Sequence, residues 1–145
     1  RKNYMKLEVK KLVPNAKIPT RAHSDDAGLD LYSAEDCVLE VGERRAVKTG
    51  VALAIPTGYV GLIWDKSSLP AKQGMKTMGG VIDASYRGEV QVIMINLSHE
   101  KYKIEKGSKI SQMLIQKVEF PEMCEVEELD DTIRGEGGFG STGSY

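Results

Sequence analysis

The amino-acid sequence predicts an all-β domain, a sandwich or a barrel. Three observations carry this: apolar and polar residues alternate in short segments, turn residues recur between the segments, and no long amphipathic helix interrupts them. At 145 residues the chain suits one domain that buries roughly two-thirds of its unfolded surface. The first segment, "MKLEVKKL", puts Leu7 and Val9, with Lys11, on one side. "AGLDLYS" sets Asp30 between two leucines. "CVLEV" and "RRAVKTGVALAIP" alternate less strictly, and "GYVGLIWD", "GEVQVIMINL", "KYKIEKG" and "SKISQMLIQKVEF" follow. "PTG" near Pro56, "KGS" near Gly107 and "FPE" near Pro121 supply turns between them. One short helix is expected in "SSLPAKQG", with Ser67 or Ser68 as its N-cap and Pro70 in its first turn. "GGVIDASYRGEV", residues 79–90, reads as a β-hairpin turning near "ASYRG".

Composition narrows the partners. Twenty Lys and Arg against 21 Asp and Glu leave a formal net charge of −1, without the basic excess of a dedicated nucleic-acid binder. No apolar run approaches the ~20 residues that cross a bilayer, and the longest, "VIMINL", is strand-sized. The start, "RKNYMKLEVKK", lacks the apolar centre of a secretory signal; Met5 is read as the natural start, with residues 1–4 a leftover. Cys37 and Cys124 match no metal spacing and are expected as free thiols, which fits a reducing cytoplasm. His23 and His99 have no partner pattern for a metal or a nucleophile and are expected at the surface.

Five stretches carry candidate chemistry. Asp83, in the expected hairpin, is placed to act as a base beside a cavity floor; its plain alternative is a turn aspartate bonding its own backbone, with Tyr86 covering the hairpin. In "WDKSSLP", Lys66 and two hydroxyls beside unpaired N–H groups make an anion site, or simply a helix cap. Gln112 lies within an apolar strand and needs partners, structural or otherwise. Asp30 is either an edge feature or an outer ligand for a metal bound by phosphates. After Leu129 the pattern changes, and "RGEGGFGSTG" has five glycines in ten residues yet keeps Arg134, Phe139, Ser141 and Thr142. So much glycine makes ordering costly, so this segment is mobile until something holds it.

In this order, "AGLDLYS", "DKSSLP", "GGVIDASYRGEV", "SKISQML" and "RGEGGFGSTG" resemble the five motifs of the trimeric deoxyuridine triphosphate nucleotidohydrolases, the dUTPases. The likeness spans residues 27–143, and its third and fifth motifs are the most specific. It implies a distorted jelly-roll over residues 1–129 and a flexible C-terminal lid arm over residues 130–145. It also implies hydrolysis of dUTP to dUMP and pyrophosphate with magnesium, in a homotrimer whose active sites lie at subunit contacts. Asp83 matches the carboxylate that activates the water attacking the α-phosphorus. Tyr86 matches the ring beneath the deoxyribose, and Gly80, Val81 and Ile82 belong to the segment that reads uracil, with Thr77 and Gln91 among the substrate contacts. Lys66, Ser67, Ser68 and Gln112 match phosphate contacts, and Asp30 matches the residue that holds magnesium through water. In the arm, Arg134, Ser141 and Thr142 match contacts to the γ-phosphate, Gly140 is among the substrate-binding residues, and Phe139 matches the ring over uracil.

Three positions depart from the family pattern. Lys66 stands where arginine is usual, which keeps the charge and loses the bidentate fork. Thr77 replaces asparagine, and Ser85 replaces an acidic residue. A dCTP deaminase shares the fold and would require a catalytic glutamate on the hairpin and another tail. Zinc deaminases are excluded by the lack of their histidine and paired-cysteine motifs. A non-catalytic protein on the same scaffold is opposed by the intact Asp83 and arm.

Overall fold

A computed structural model describes residues 4–145, so residues 1–3 of the expected leftover lie outside the described residues. Ten strands follow in chain order: β1 (Glu8–Lys11), β2 (Leu29–Tyr32), β3 (Cys37–Leu39), β4 (Arg44–Ala54), β5 (Tyr59–Trp64), β6 (Met75–Met78), β7 (Val81–Ile82), β8 (Glu89–Asn96), β9 (Tyr102–Ile104) and β10 (Lys109–Lys117). One sheet has the order β1-β4-β8-β6, a second has β2-β10-β5-β7, and β3 with β9 forms a ribbon. The expected all-β jelly-roll class is the architecture found.

Alternation explains the core. In β8, Val90, Val92 and Met94 are buried while Gln91 and Ile93 face outward. They meet Leu31, Ile63 and Met113 from the second sheet and Leu39 and Ile104 from the ribbon. Burying each such side chain is worth about 1.5–3 kcal/mol. Leu7 and Val9 pack against this cluster, but Lys11 is exposed, so the apolar row of the first segment stops at Val9. Among the described residues no helix is long and apolar enough to cross a membrane.

Two local expectations are corrected. The helix is a single π-type turn over Leu69–Gln73, and Ser68, at its N-cap position, makes no side-chain capping bond. Its φ of −69° and ψ of −30° are already helical, whereas a capping side chain needs extended backbone. Pro70 does occupy the first turn, and Gly74 closes the last at φ 69°.

The second correction concerns the hairpin. β7 does not pair with β8. β8 pairs instead with β6, Met78 opposite Ile93, a strand the sequence reading passed over. Between these partners the chain crosses to the other sheet, where Val81 pairs with Leu62 and Ile82 with Gly61. Gly79 and Gly80 permit the crossing, at φ 76° and 140°. The Ile63 N–H donates to the Gly80 carbonyl at 2.8 Å, and a Cβ on Gly80 would lie 2.7 Å from the Ile63 Cβ. After β10, the Val118 N–H donates to the Gly58 carbonyl, and residues 119–136 are exposed.

The Gly80→Ala variant is expected to lose about 1–3 kcal/mol of stability, from both the positive φ and the collision with Ile63. Urea unfolding measures this, and an unchanged midpoint would show that β7 is not held by this close approach.

Candidate active site

The register of the second sheet creates one wall of the site. Asp30 pairs with Gln112, and Gln112 pairs with Trp64. Because Leu29, Leu31 and Met113 turn into the core, Asp30 and Gln112 share the opposite face. Lys109 precedes Gln112 by three residues, and a regular strand would send it to the core side. A bulge between Lys109 and Ser111 adds one residue, Ile110 and Ser111 are both buried, and Lys109 emerges beside Asp30.

Asp30 is only 3 % exposed. Its Oδ1 accepts a hydrogen bond from Lys66 Nζ at 2.5 Å. Lys109 Nζ lies 3.0 Å from Oδ2, close enough for an ion pair but too poorly aligned to give that oxygen a hydrogen bond. Burial opposes the charge, yet the two lysines outweigh it and hold the Asp30 pKa below the ordinary carboxylate range. β2 is an edge strand of its sheet, and there the Asp30 main chain bridges Thr20.

The turn after β5 is braced from two sides. Gln112 Nε2 donates to the Asp65 carbonyl at 2.8 Å. Asp65 Oδ1 accepts from the Thr77 N–H at 2.7 Å, and Oδ2 accepts from Lys76 Nζ at 2.5 Å. Burial raises the Asp65 pKa, but Lys76 and the Thr77 N–H bring it below the usual range. On the far side, a Cβ on Gly28 would stand 2.1 Å from Gln112 Oε1, so only glycine leaves room for the amide. Asp26 closes the neighbouring loop, where its Oδ2 accepts from the His23 N–H at 2.9 Å and lies 3.1 Å from His23 Nδ1.

These elements enclose a cavity of about 310 Å³ whose walls include Asp30, Lys66, Ser67, Ser68 and Gln112. Five expected residues from three separate stretches thus converge. Gln112 both makes a structural bond and faces the cavity. Sequence reasoning missed Asp65 and Lys109, which hold expected residues in place, and Asp26, which lines the cavity. A lysine three positions before Gln112 was visible, but the bulge that turns it out of the core and onto the face of Asp30 was not.

The other expected residues lie elsewhere on the chain. Asp83 follows β7 and is exposed. It helps line a second cavity, of about 530 Å³, with Val81, Ser85 and Phe120, and no residue borders both cavities. Its carbonyl accepts from the Tyr86 N–H at 3.1 Å. Tyr86 covers its own loop: its hydroxyl donates to the Glu89 carbonyl at 2.8 Å, and a Cβ on Gly88 would lie 2.5 Å from the Tyr86 hydroxyl oxygen. β7 is the edge strand of its sheet, so one side of the Val81–Ile82 main chain lacks a strand partner. Thr77 is buried with its hydroxyl unpartnered, whereas Gln91 sits on the outer face of β8 opposite Lys48. In the arm, Arg134 Nε donates to the Gly137 carbonyl at 2.7 Å, the Ser141 N–H donates to Gly138, and Phe139 is fully exposed at φ 50°. Arg134, Phe139, Gly140, Ser141 and Thr142 border neither cavity.

Residues 14–143 match the dUTPase family model. A deoxyuridine 5'-triphosphate nucleotidohydrolase of Mycolicibacterium gilvum (strain PYR-GCK) is 48% identical over 147 aligned residues, covering 96% of each chain. Among solved structures, a mutant dUTPase of Staphylococcus bacteriophage 80alpha with dUpNHpp superposes with a TM-score of 0.91 at 36% identity, covering 95% of this chain and 98% of that one. A mutant dUTPase from phage phi11 of S. aureus, whose structure reveals the coordination of a structural Mg(II) ion, gives 0.83 at 33% identity, covering 88% and 100%.

The lowered Asp65 pKa has a pH consequence with a definite sign. Its contribution to stability is complete above the unfolded carboxylate pKa of about 3.9 and is lost as pH falls through the lower folded value. The Asp65→Asn variant should therefore be less stable than the unmodified chain at neutral pH and should lose less on acidification. Urea midpoints between about pH 2 and about pH 7 measure both effects, and parallel acid limbs would contradict this role for Asp65.

Proposed function

This chain belongs to the dUTPase family, and we propose that it hydrolyses dUTP to dUMP and pyrophosphate, limiting uracil entry into DNA and supplying dUMP for thymidylate synthesis. The observation that carries the reading is the convergence of Asp30, Lys66, Ser67, Ser68 and Gln112 on one cavity. A triphosphate needs a cation and several donors, and Lys66, two hydroxyls and an amide supply them. Water attacks the α-phosphorus, Asp83 takes its proton, the bond to the bridging oxygen breaks, and pyrophosphate leaves. Charge grows on that leaving group, so donors fixed around the phosphates lower the barrier.

The base is read by the edge strand. Unpaired main-chain groups around Gly80, Val81 and Ile82 match the donor and acceptor pattern of uracil as an added strand would. Cytosine would leave such a group unpaired, and a site that does so discriminates strongly. Thr77, on β6, and Gln91, on β8, complete the substrate contacts of this reading. Tyr86, fixed through its hydroxyl to Glu89, packs beneath the deoxyribose and leaves no space for a 2′-hydroxyl.

Magnesium fits the residues present. Among the described residues no group of three His, Cys, Asp or Glu could hold a metal alone. Magnesium commonly keeps several waters and binds through one carboxylate and substrate phosphates. Asp30, with one buried oxygen lacking a hydrogen bond, suits that outer position through water. When bound, the ion would neutralise phosphate charge.

We read the enzyme as a homotrimer with sites shared between subunits. Two features support this: Asp83 lines a cavity that shares no residue with the phosphate cavity, and the second sheet exposes apolar side chains outward, with Val81 66 % and Trp64 57 % exposed. The domain is taken as residues 1–129 and the arm, residues 130–145, as a lid that brings Arg134, Gly140, Ser141 and Thr142 to the phosphates and Phe139 over uracil. A reducing cytoplasm suits the free Cys37 and Cys124.

Pyrophosphate release is expected from dUTP with magnesium and not from dCTP, dTTP or UTP; equal release from dCTP would remove the uracil-reading role of β7. The Asp83→Asn variant should bind dUTP normally and turn over about 10²–10⁴-fold more slowly, because an amide cannot accept the proton. Near-normal turnover would exclude Asp83 as the base. A chain cut after Leu129 should remain folded and oligomeric yet lose turnover, while Phe139→Ala should cost only about 1–3 kcal/mol of binding. Full activity in the cut chain would dismiss the lid.

A further inference from the structure

Lys66 meets its own site in a compromised state. Its ammonium is bound to Asp30 Oδ1 at 2.5 Å, yet the same ammonium is the cation expected to engage phosphate. Leaving Asp30 would strand a carboxylate that is 3 % exposed, and an uncompensated buried charge is strongly unfavourable. Lys109 removes this obstacle. The β10 bulge places its ammonium 3.0 Å from the other carboxylate oxygen, and its side chain remains 43 % exposed, with room to move fully onto Asp30. At this end of β2 the Tyr32 hydroxyl is hydrogen-bonded to Thr20 Oγ1, and the Lys17 ammonium lies over the Tyr32 ring.

We propose that Lys109 is a positioning residue that takes over Asp30 when Lys66 turns to the substrate's phosphates. The exchange keeps Asp30 paired throughout and releases Lys66 as a phosphate ligand. Lys109 itself does not touch substrate. This rests on the reading of the cavity as the triphosphate site.

The test measures binding of a non-hydrolysable α,β-imido analogue of dUTP by calorimetry, with full-length protein in excess EDTA, so that magnesium plays no part. The Lys109→Met variant should bind about ten-fold more weakly than the unmodified chain, and Lys109→Arg should restore binding. The deciding comparison is made with Asp30→Asn. Without the carboxylate, Lys66 needs no release, so Asp30→Asn and Asp30→Asn/Lys109→Met should bind equally. A ten-fold loss that persists in the Asp30→Asn background would make Lys109 a direct phosphate cation and overturn the proposal. No loss in Lys109→Met alone would also overturn it, with the triphosphate reading intact. Failure of the unmodified chain to bind the analogue even after magnesium is restored would overturn both. Circular dichroism checks folding, and Lys109→Gln stands in if Lys109→Met does not fold. Should both fail to fold while the two Asp30→Asn variants fold, Lys109 is a structural counter-ion only, and the exchange is refuted.

Discussion

A carboxylate withdrawn from water must keep a counter-charge, and Asp30 keeps two within reach. Much of the cavity follows from that requirement. The bulge in β10 delivers Lys109 to a face it would otherwise miss. The turn after β5 delivers Lys66, and that turn is held by the Gln112 amide at its carbonyl and by Thr77 and Lys76 at the Asp65 carboxylate. Gly28 leaves the space in which Gln112 lies. The cationic side of the cavity is thus built on a buried anion, which fixes where the lysines start before any ligand arrives.

The opposite constraint governs Asp83. It follows a two-residue edge strand and remains open to solvent, next to a main chain with one side unpaired. Gly79 and Gly80 let the chain leave one sheet and join the other, and that crossing presents β7 as an edge. An edge strand with free donors and acceptors is suited to a flat, hydrogen-bonding base. An exposed carboxylate gains a defined environment only when another surface covers it. The cavity beside Asp83 and the cavity beside Asp30 share no lining residue, and the homotrimer proposed above would bring a second copy of the chain to cover Asp83.

Alternation made the strands legible because each sheet has one face in the core, and β8 shows it residue by residue. The ordered motifs made the cavity residues legible: Asp30, Lys66 and Gln112 each had a plain structural alternative, and only their order in the chain marked them together. What escaped was set by tertiary pairing. In "MKTM", Met75 and Thr77 are buried while Lys76 and Met78 are exposed, but four residues between glycines are too short to stand out. "GGVIDASYRGEV" has the composition of a tight hairpin, yet its first strand answers to β5 across the sandwich. Ser68 has a capping side chain and a backbone that does not use it. The role of Lys109 depends on one inserted residue, Ile110, whose apolar character only says that it is buried. Propensity reports what a residue favours locally; it does not report which strand will be its neighbour.

The most direct measurement mixes two impaired variants, Asp83→Asn and Lys66→Ala, under conditions where subunit exchange has been shown independently. Each alone should release pyrophosphate from dUTP slowly. If each site takes Asp83 from one subunit and the phosphate cavity from another, random trimers at equal concentrations will have about a quarter of their sites intact and regain a corresponding share of activity. A mixture no faster than the average of its two components would mean that Asp83 and the cavity serve one site on a single chain, and that subunits do not share it.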